Sequence, residues 1–223
     1  MRYYLFTSSS TLAVFFVFHT ALVAGAGLSN NVVNVGVYYE SLCPDSIRFI
    51  KNGLVPTYNA LGSNLDVTLV PYGKASHKLN AGEWQFNCQH GPEECQGNMA
   101  QACGLHAIQN KEPAEKVQQL SVALVGCVMS SRHPASSVPQ CAESVGLNEQ
   151  AKASIEQCLN GPLSKELLAA NGDKTDALNP RLSFVPTITI NGVTSQEIQN
   201  KALSNFQKLI CDTLPANSNS KCA

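Results

Sequence analysis

The sequence predicts an α/β fold interrupted by a long helical insertion rich in cysteine. Three observations carry that expectation. Two β-branched apolar runs flank a helical pattern within residues 32–71. From about residue 75 to 175 the spacing turns helical, and this stretch holds six of the nine cysteines. Strand character then returns near residue 184 and is followed by a strong turn signal and a last amphipathic helix.

Residues 32–39, Val-Val-Asn-Val-Gly-Val-Tyr-Tyr, read as a buried strand that runs directly toward Cys43. Pro44 suits the first turn of a helix, where its missing N–H would be unpaired in any case. Ile47, Ile50, Leu54, Tyr58 and Leu61 follow at helical spacing, and Pro56 is expected to kink that helix. Residues 66–71 form a second strand, so strand, helix and strand in ~40 residues imply a right-handed βαβ unit. Cys43 falls at the N-terminus of its helix.

In the insertion, Val117, Leu120, Leu124, Cys127 and Val128 mark a helix starting at Pro113. Ile155, Cys158 and Leu159 mark another that stops at Gly161, and residues 162–170 predict a short third ended by Asn171-Gly172. Residues 184–190 read as a strand, and Asn191-Gly192 as a two-residue hairpin turn. A capping box, Thr194-x-x-Glu197, opens a last helix that turns Ile198, Ala202, Phe206, Leu209 and Ile210 inward. The tail beyond Pro215 is expected to be loose except at Cys222.

The N-terminal segment sets the compartment. Arg2, an apolar core over residues 12–23 and Ala24-Gly25-Ala26 predict a cleaved signal peptide over residues 1–26. Its apolar run is too short to span a membrane, which takes ~20 residues. The remainder, about 197 residues, suffices for a single domain over 27–223. A net charge of −1 with 14% charged residues and no basic run argues against nucleic acid or an anionic membrane as partner. No Asn-x-Ser/Thr triplet occurs, so N-glycosylation is not expected.

Nine cysteines in an oxidising compartment leave one thiol unpaired. The odd one is expected to be Cys43, in Ser41-Leu42-Cys43-Pro44-Asp45-Ser46. This is the layout of a Cys-x-x-Cys redox site with serine in second place. In a dithiol site the first thiolate attacks a substrate disulfide, and the second sulfur resolves the mixed disulfide. The N–H groups of a helix start favour a thiolate at Cys43, whereas the charge of Asp45 opposes it. Cys88, Cys95, Cys103, Cys127, Cys141, Cys158, Cys211 and Cys222 are left for four disulfides with 105 possible pairings, of which Cys211 with Cys222 would staple the tail.

The order βαβ, helical insertion, ββα is that of a thioredoxin-like fold with a large disulfide-rich helical insertion. Val185-Pro186 stands where such folds place a cis-proline that faces the active-site cysteine and presents backbone to an extended substrate. Cys88, Gln89, His90, Gly91, Cys95, Asn98 and Cys103 match the pattern Cys-Gln-His-Gly-x-x-x-Cys-x-x-Asn-x-x-x-x-Cys. On those residues the chain resembles the gamma-interferon-inducible lysosomal thiol reductase (GILT) family, and the resemblance extends over nearly the whole mature chain. It implies reduction of protein disulfides in acidic endosomes and lysosomes, with Cys43 as nucleophile.

Ser46 departs from that family's pattern at the resolving position. The expectation is therefore a secreted factor without dithiol turnover, acting by protein binding or regulation, with Cys43 as a single reactive thiol and a disulfide-bearing protein as partner. The alternative is a monothiol oxidoreductase or isomerase in which a small external thiol such as glutathione resolves the mixed disulfide. Cys88, His90, Cys95 and Cys103 have the residue types of a zinc site, but their spacing fits no common template, and disulfides are favoured. No metal, cofactor or membrane anchor is expected. His90 is read as a turn-stabilising residue and Glu93-Glu94 as a solvated loop. Tyr38, Tyr39 and Trp84 are candidates to wall a groove near Cys43.

Overall fold

The computed structural model describes residues 31–216 and 218–222. The predicted signal peptide, residues 1–26, lies outside the described residues. At the centre is a three-stranded sheet in the order β2-β1-β5, built from β1 (Val33–Tyr39), β2 (Leu65–Pro71) and β5 (Thr187–Ile190). β1 pairs with β2 in parallel and with β5 antiparallel, Val37 facing Leu69 on one side and Ile188 on the other. Val37 and Ile188 are fully buried. Each large apolar side chain sealed in this way contributes about 1.5–3 kcal/mol.

Between β1 and β2 the chain forms α1 (Pro44–Phe49), a π-helical turn over Ile50–Leu54 and α2 (Val55–Leu61). The expected disturbance at Pro56 is this widened turn, which falls just before a residue that has no N–H to return to the ladder. Phe49 projects from α1 onto Phe206, ring centroids 5.1 Å apart and nearly perpendicular.

The insertion begins with a hairpin rather than a helix: β3 (Ser76–Asn80) pairs antiparallel with β4 (Glu83–Asn87). Then follow α3 (Pro92–Lys111), α4 (Ala114–Ser130), α5 (Val138–Ser144), α6 (Glu149–Leu159) and α7 (Leu163–Asp176). These helices enclose a second core around Ile108, Leu124, Val128 and Ile155, separate from the core beneath the sheet. Cys103–Cys158 joins α3 to α6, and Cys127–Cys141 joins α4 to α5.

Four local expectations are corrected. α7 does not stop at Asn171-Gly172 but runs to Asp176. Asn171 donates its side-chain amide to the Pro71 carbonyl at the end of β2, and a Cβ at position 172 would collide with the His77 ring, so Asn171 ties α7 to the sheet and Gly172 permits close helix–hairpin packing. After Asn191-Gly192 there is a single bridge, Ile190 to Val193, in place of a further strand. The last helix is two, α8 (Gln196–Ser204) and α9 (Phe206–Thr213), split where Asn205 caps α9 by accepting from the Lys208 N–H at 3.0 Å. Ser195, not Thr194, caps α8, while Thr194 accepts from the Gln199 amide. Cys211–Cys222 ties the tail to α9.

Candidate functional site

β1 carries the chain straight into the redox turn. Cys43 is the N-cap of α1 in extended backbone conformation, Pro44 occupies the first turn, and the Ile47 N–H closes the helix on the Cys43 carbonyl at 3.0 Å. Cys43 is the one free cysteine among the described residues and is 8% exposed. Its Sγ lies 3.9 Å from the carbonyl of Val185, the residue that precedes Pro186. The Val185–Pro186 peptide is cis, Pro186 is buried, and β5 begins at the next residue. Two segments far apart in sequence, Cys43 and Val185-Pro186, therefore meet at the head of the sheet.

Ser46, one helical turn on, is wholly buried, and its Oγ accepts the Glu40 N–H at 3.3 Å. The hydroxyl ties the helix start back to the end of the strand. Asp45 points outward and pairs with Arg48 at 3.1 Å, so its charge faces a cation. A cleft of about 530 Å³ opens beside this turn, bounded by Asp45, Arg48, Phe49, Phe184 and the turn between α8 and α9.

The cysteine-and-histidine signature forms the opposite wall of the turn. Cys88–Cys95 closes a loop onto the first turn of α3. Glu94 is fully buried, which corrects its reading as part of a solvated loop. Its carboxylate accepts the His90 N–H at 3.0 Å and faces His90 Nδ1 at 2.6 Å, so His90 does stabilise the turn. One helical turn later Asn98 Oδ1 accepts the Ser41 N–H at 2.8 Å, and the Ser41 hydroxyl donates to the Glu94 carbonyl at 3.0 Å. A Cβ at Gly97 would collide with Ser41, so a glycine is what lets strand end and helix approach this closely. The signature is thus a clamp on the segment leading to Cys43. Because Cys88, Cys95 and Cys103 are all in disulfides, they offer no thiolates for a zinc site.

Glu40 is the most unusual member of the clamp. It is fully buried, with Oε1 accepting the Lys74 N–H at 2.6 Å, while Oε2 has no hydrogen-bond partner. His90 Nδ1 is 3.3 Å from that oxygen, but the nitrogen carries a single hydrogen and Glu94 holds it at the shorter distance. Burial pushes the Glu40 carboxyl above its ordinary range, the Lys74 amide lowers it, and the nearby charge of Glu94 raises it. Glu40, Ser41 and Glu94 escape a reading by motif alone. The one available signal is the four-residue spacing of Glu94 and Asn98, which puts both on one helix face.

Two of the three aromatic candidates, Tyr39 and Trp84, make their contacts elsewhere. Tyr39 is wholly buried and donates its hydroxyl to Gln101 at 2.8 Å, and Trp84 lies on the hairpin against His77.

Known proteins resemble this chain. Residues 34–145 match the family model described as gamma interferon inducible lysosomal thiol reductase (GILT). The chain is 35% identical over 187 residues to a gamma-interferon-inducible lysosomal thiol reductase-like protein of Anopheles gambiae, covering 82% of this chain and 77% of that one. It is also 35% identical over 179 residues to the gamma-interferon-inducible lysosomal thiol reductase of Carassius auratus, covering 80% of this chain and 67% of the relative. Among solved structures, Chlamydia trachomatis DsbA superposes with a TM-score of 0.56 at 15% identity, over 81% of this chain and 86% of that one. That likeness concerns the fold, which is thioredoxin-like with a helical insertion. With residues 34–145 matching the family model and two relatives at 35% identity over most of this chain, the chain belongs to the gamma-interferon-inducible lysosomal thiol reductase family.

Proposed function

We propose that this chain is a secreted member of the family that lacks dithiol turnover and works by holding disulfide-bearing protein partners, with Cys43 as its single reactive thiol. The observation that carries the reading is Ser46, which fills the resolving position with a buried hydroxyl already bonded to the Glu40 amide. In the proposed step the Cys43 thiolate attacks one sulfur of the partner's disulfide. The partner's S–S bond breaks, a Cys43–partner disulfide forms, and the other partner sulfur leaves as a thiolate that takes a proton from water. Release requires attack by a second thiol on Cys43. Among the described residues no other cysteine is free to make it. The cleft bounded by Asp45 and Phe184, close to the Cys43 turn, supplies a surface on which a partner segment can lie.

Domain extent, secretion and partner class belong to the same proposal: one mature domain over residues 27–223, carried along the secretory route. No helix among the described residues is long and apolar enough to cross a membrane. The monothiol reading keeps one point of support, since the same cleft beside the turn has room for a small thiol.

Single-turnover mixing of the reduced protein with a disulfide-bonded protein substrate tests the proposal. Without added small thiol, the parent is expected to accumulate slowly dissociating mixed disulfides, and Cys43→Ala to form none. Ser46→Cys is expected to release reduced substrate at least about tenfold faster than the parent, because attack from the adjacent position is intramolecular. A parent that releases substrate as fast as Ser46→Cys would show the chain to be a working reductase. Fast release that appears only when glutathione is added would establish the monothiol route.

A further inference from the structure

Glu40, His90 and Glu94 bring two carboxylates and an imidazole together at the head of the sheet, with one ligand atom from each lying within 4.8 Å of the others. Both glutamates are fully buried, while the His90 side chain is 34% exposed. The cluster is thus sealed on the protein side and reachable from solvent along the imidazole. Ion pairing within it is incomplete. Glu94 Oε2 takes the Nδ1 hydrogen at 2.6 Å, and Glu40 Oε2, aimed at the same nitrogen from 3.3 Å, has no hydrogen-bond partner. An ionised oxygen buried in that state is costly unless a cation or a proton joins it.

We infer that Glu40 Oε2, Glu94 Oε2 and His90 Nδ1 form a binding site for one divalent cation of zinc's class. Two carboxylates and a neutral imidazole carry two negative charges, which a dication cancels. Oxygen and nitrogen donors in this mix suit zinc, and three protein ligands with one position open to water is a coordination it commonly adopts. Bonds of about 2.0 Å at tetrahedral angles put donor atoms about 3.3 Å apart. The His90–Glu40 separation already has that value. The His90–Glu94 contact must open by about 0.7 Å, which loss of the shared hydrogen permits. His90 then carries its proton on Nε2, and any proton held between the carboxylates is released to solvent.

The site is independent of the redox step, since Cys43 is not among its ligands. The cation would join the strand end three residues before Cys43 to the signature loop.

Zinc chloride titrated into the folded, oxidised protein at neutral pH, followed by calorimetry, tests the inference. Cobalt(II) absorption serves as a second probe of coordination. One equivalent per chain is expected, with proton release and a cobalt spectrum of low coordination number that lacks a sulfur charge-transfer band. Glu40→Gln keeps an acceptor for the Lys74 amide and should weaken binding at least about tenfold, as should His90→Ala. Cys43→Ser should bind like the parent. The inference is overturned if Glu40→Gln and His90→Ala, both shown to be folded by their melting curves, bind zinc as the parent does. Binding that disappears in Cys43→Ser, or no saturable binding at all, overturns it equally.

Discussion

The starts of α1 and α3 share a plan and differ in chemistry. Each has a proline in its first turn, a cysteine at or just before the helix and a second signature position inside it. In α3 the second position is Cys95, the sulfurs are joined, and the loop is a fixed staple. In α1 it is Ser46, which leaves Cys43 as a thiol and turns the second position into a backbone hydrogen bond. Positioning and the free thiol thus rest on different residues: the signature loop holds the strand end through Asn98 and Glu94, while Cys43 is the one cysteine among the described residues outside a disulfide.

The sharpest way to break that contrast is to make the two starts alike. Ser46→Cys supplies the missing sulfur one helical turn from Cys43, the separation used by dithiol active sites. Alkylation of the native, unreduced parent with iodoacetamide, read by peptide mass, should label one cysteine per chain, at Cys43. The same treatment of air-oxidised Ser46→Cys should label none. A label on Cys88 or Cys95 in the parent would mean that the staple and the reactive thiol have been assigned to the wrong helix starts.

The staples themselves should differ in strength. Loop-closure entropy grows with the length of chain enclosed, and Cys103–Cys158 spans 55 residues of sequence against 7 for Cys88–Cys95. Replacing both cysteines by alanine should cost about 4 kcal/mol for the long loop and about 2 kcal/mol for the short one, measured by urea unfolding. Equal costs would indicate that the short staple does more than limit the unfolded chain, through its grip on Glu94.

Much of this is legible in the sequence. The β1–α1–β2 unit follows from β-branched runs on either side of a 3.6-residue pattern, and Cys43 and Val185-Pro186 follow from their places in that order. The α3 helix is harder to see because it is buried on nearly every side, with Glu94, Asn98 and Gln101 inside along with Cys95 and Ala102, so no apolar stripe forms. The β3–β4 hairpin alternates only half-buried with exposed residues, and its turn at Ala81-Gly82 lacks an Asn-Gly or Asp-Gly pair. Glu40 stayed hidden because its neighbours come from two other segments, Lys74 after β2 and the His90–Glu94 turn at the start of α3. No local spacing relates Glu40 to either.

The clamp's hydrogen bonds offer a smaller test. Asn98→Ala deprives the buried Ser41 N–H of its acceptor at 2.8 Å and removes the donor to the Tyr72 carbonyl. Stranding a buried amide costs about 1–3 kcal/mol. The denaturation midpoint should fall accordingly, and Cys43 should become faster to alkylate as the strand end loosens. A fall in stability with unchanged alkylation would separate the clamp from the thiol and break the link drawn between the two helix starts.

The smallest expected effect is a pH dependence carried by Glu40. Its carboxyl is raised above the ordinary 4.5, mainly by burial and further by the charge of Glu94, against the lowering influence of the Lys74 amide and His90. A carboxyl raised in the fold holds its proton more tightly there than in the unfolded chain. Its increment of stability is therefore complete below the unfolded value and is lost as pH rises through the raised folded value. In the presence of a chelator, to keep the carboxylates free of metal, the parent should lose stability on going from pH 4.5 toward neutrality. Glu40→Gln, which cannot ionise but can still accept the Lys74 amide, should show a shallower loss over the same window. If the two chains respond to pH in parallel, the orphaned oxygen is stabilised by its surroundings as an anion. The contrast between a finished staple at α3 and an unfinished electrostatic cluster beside α1 would then have to be given up.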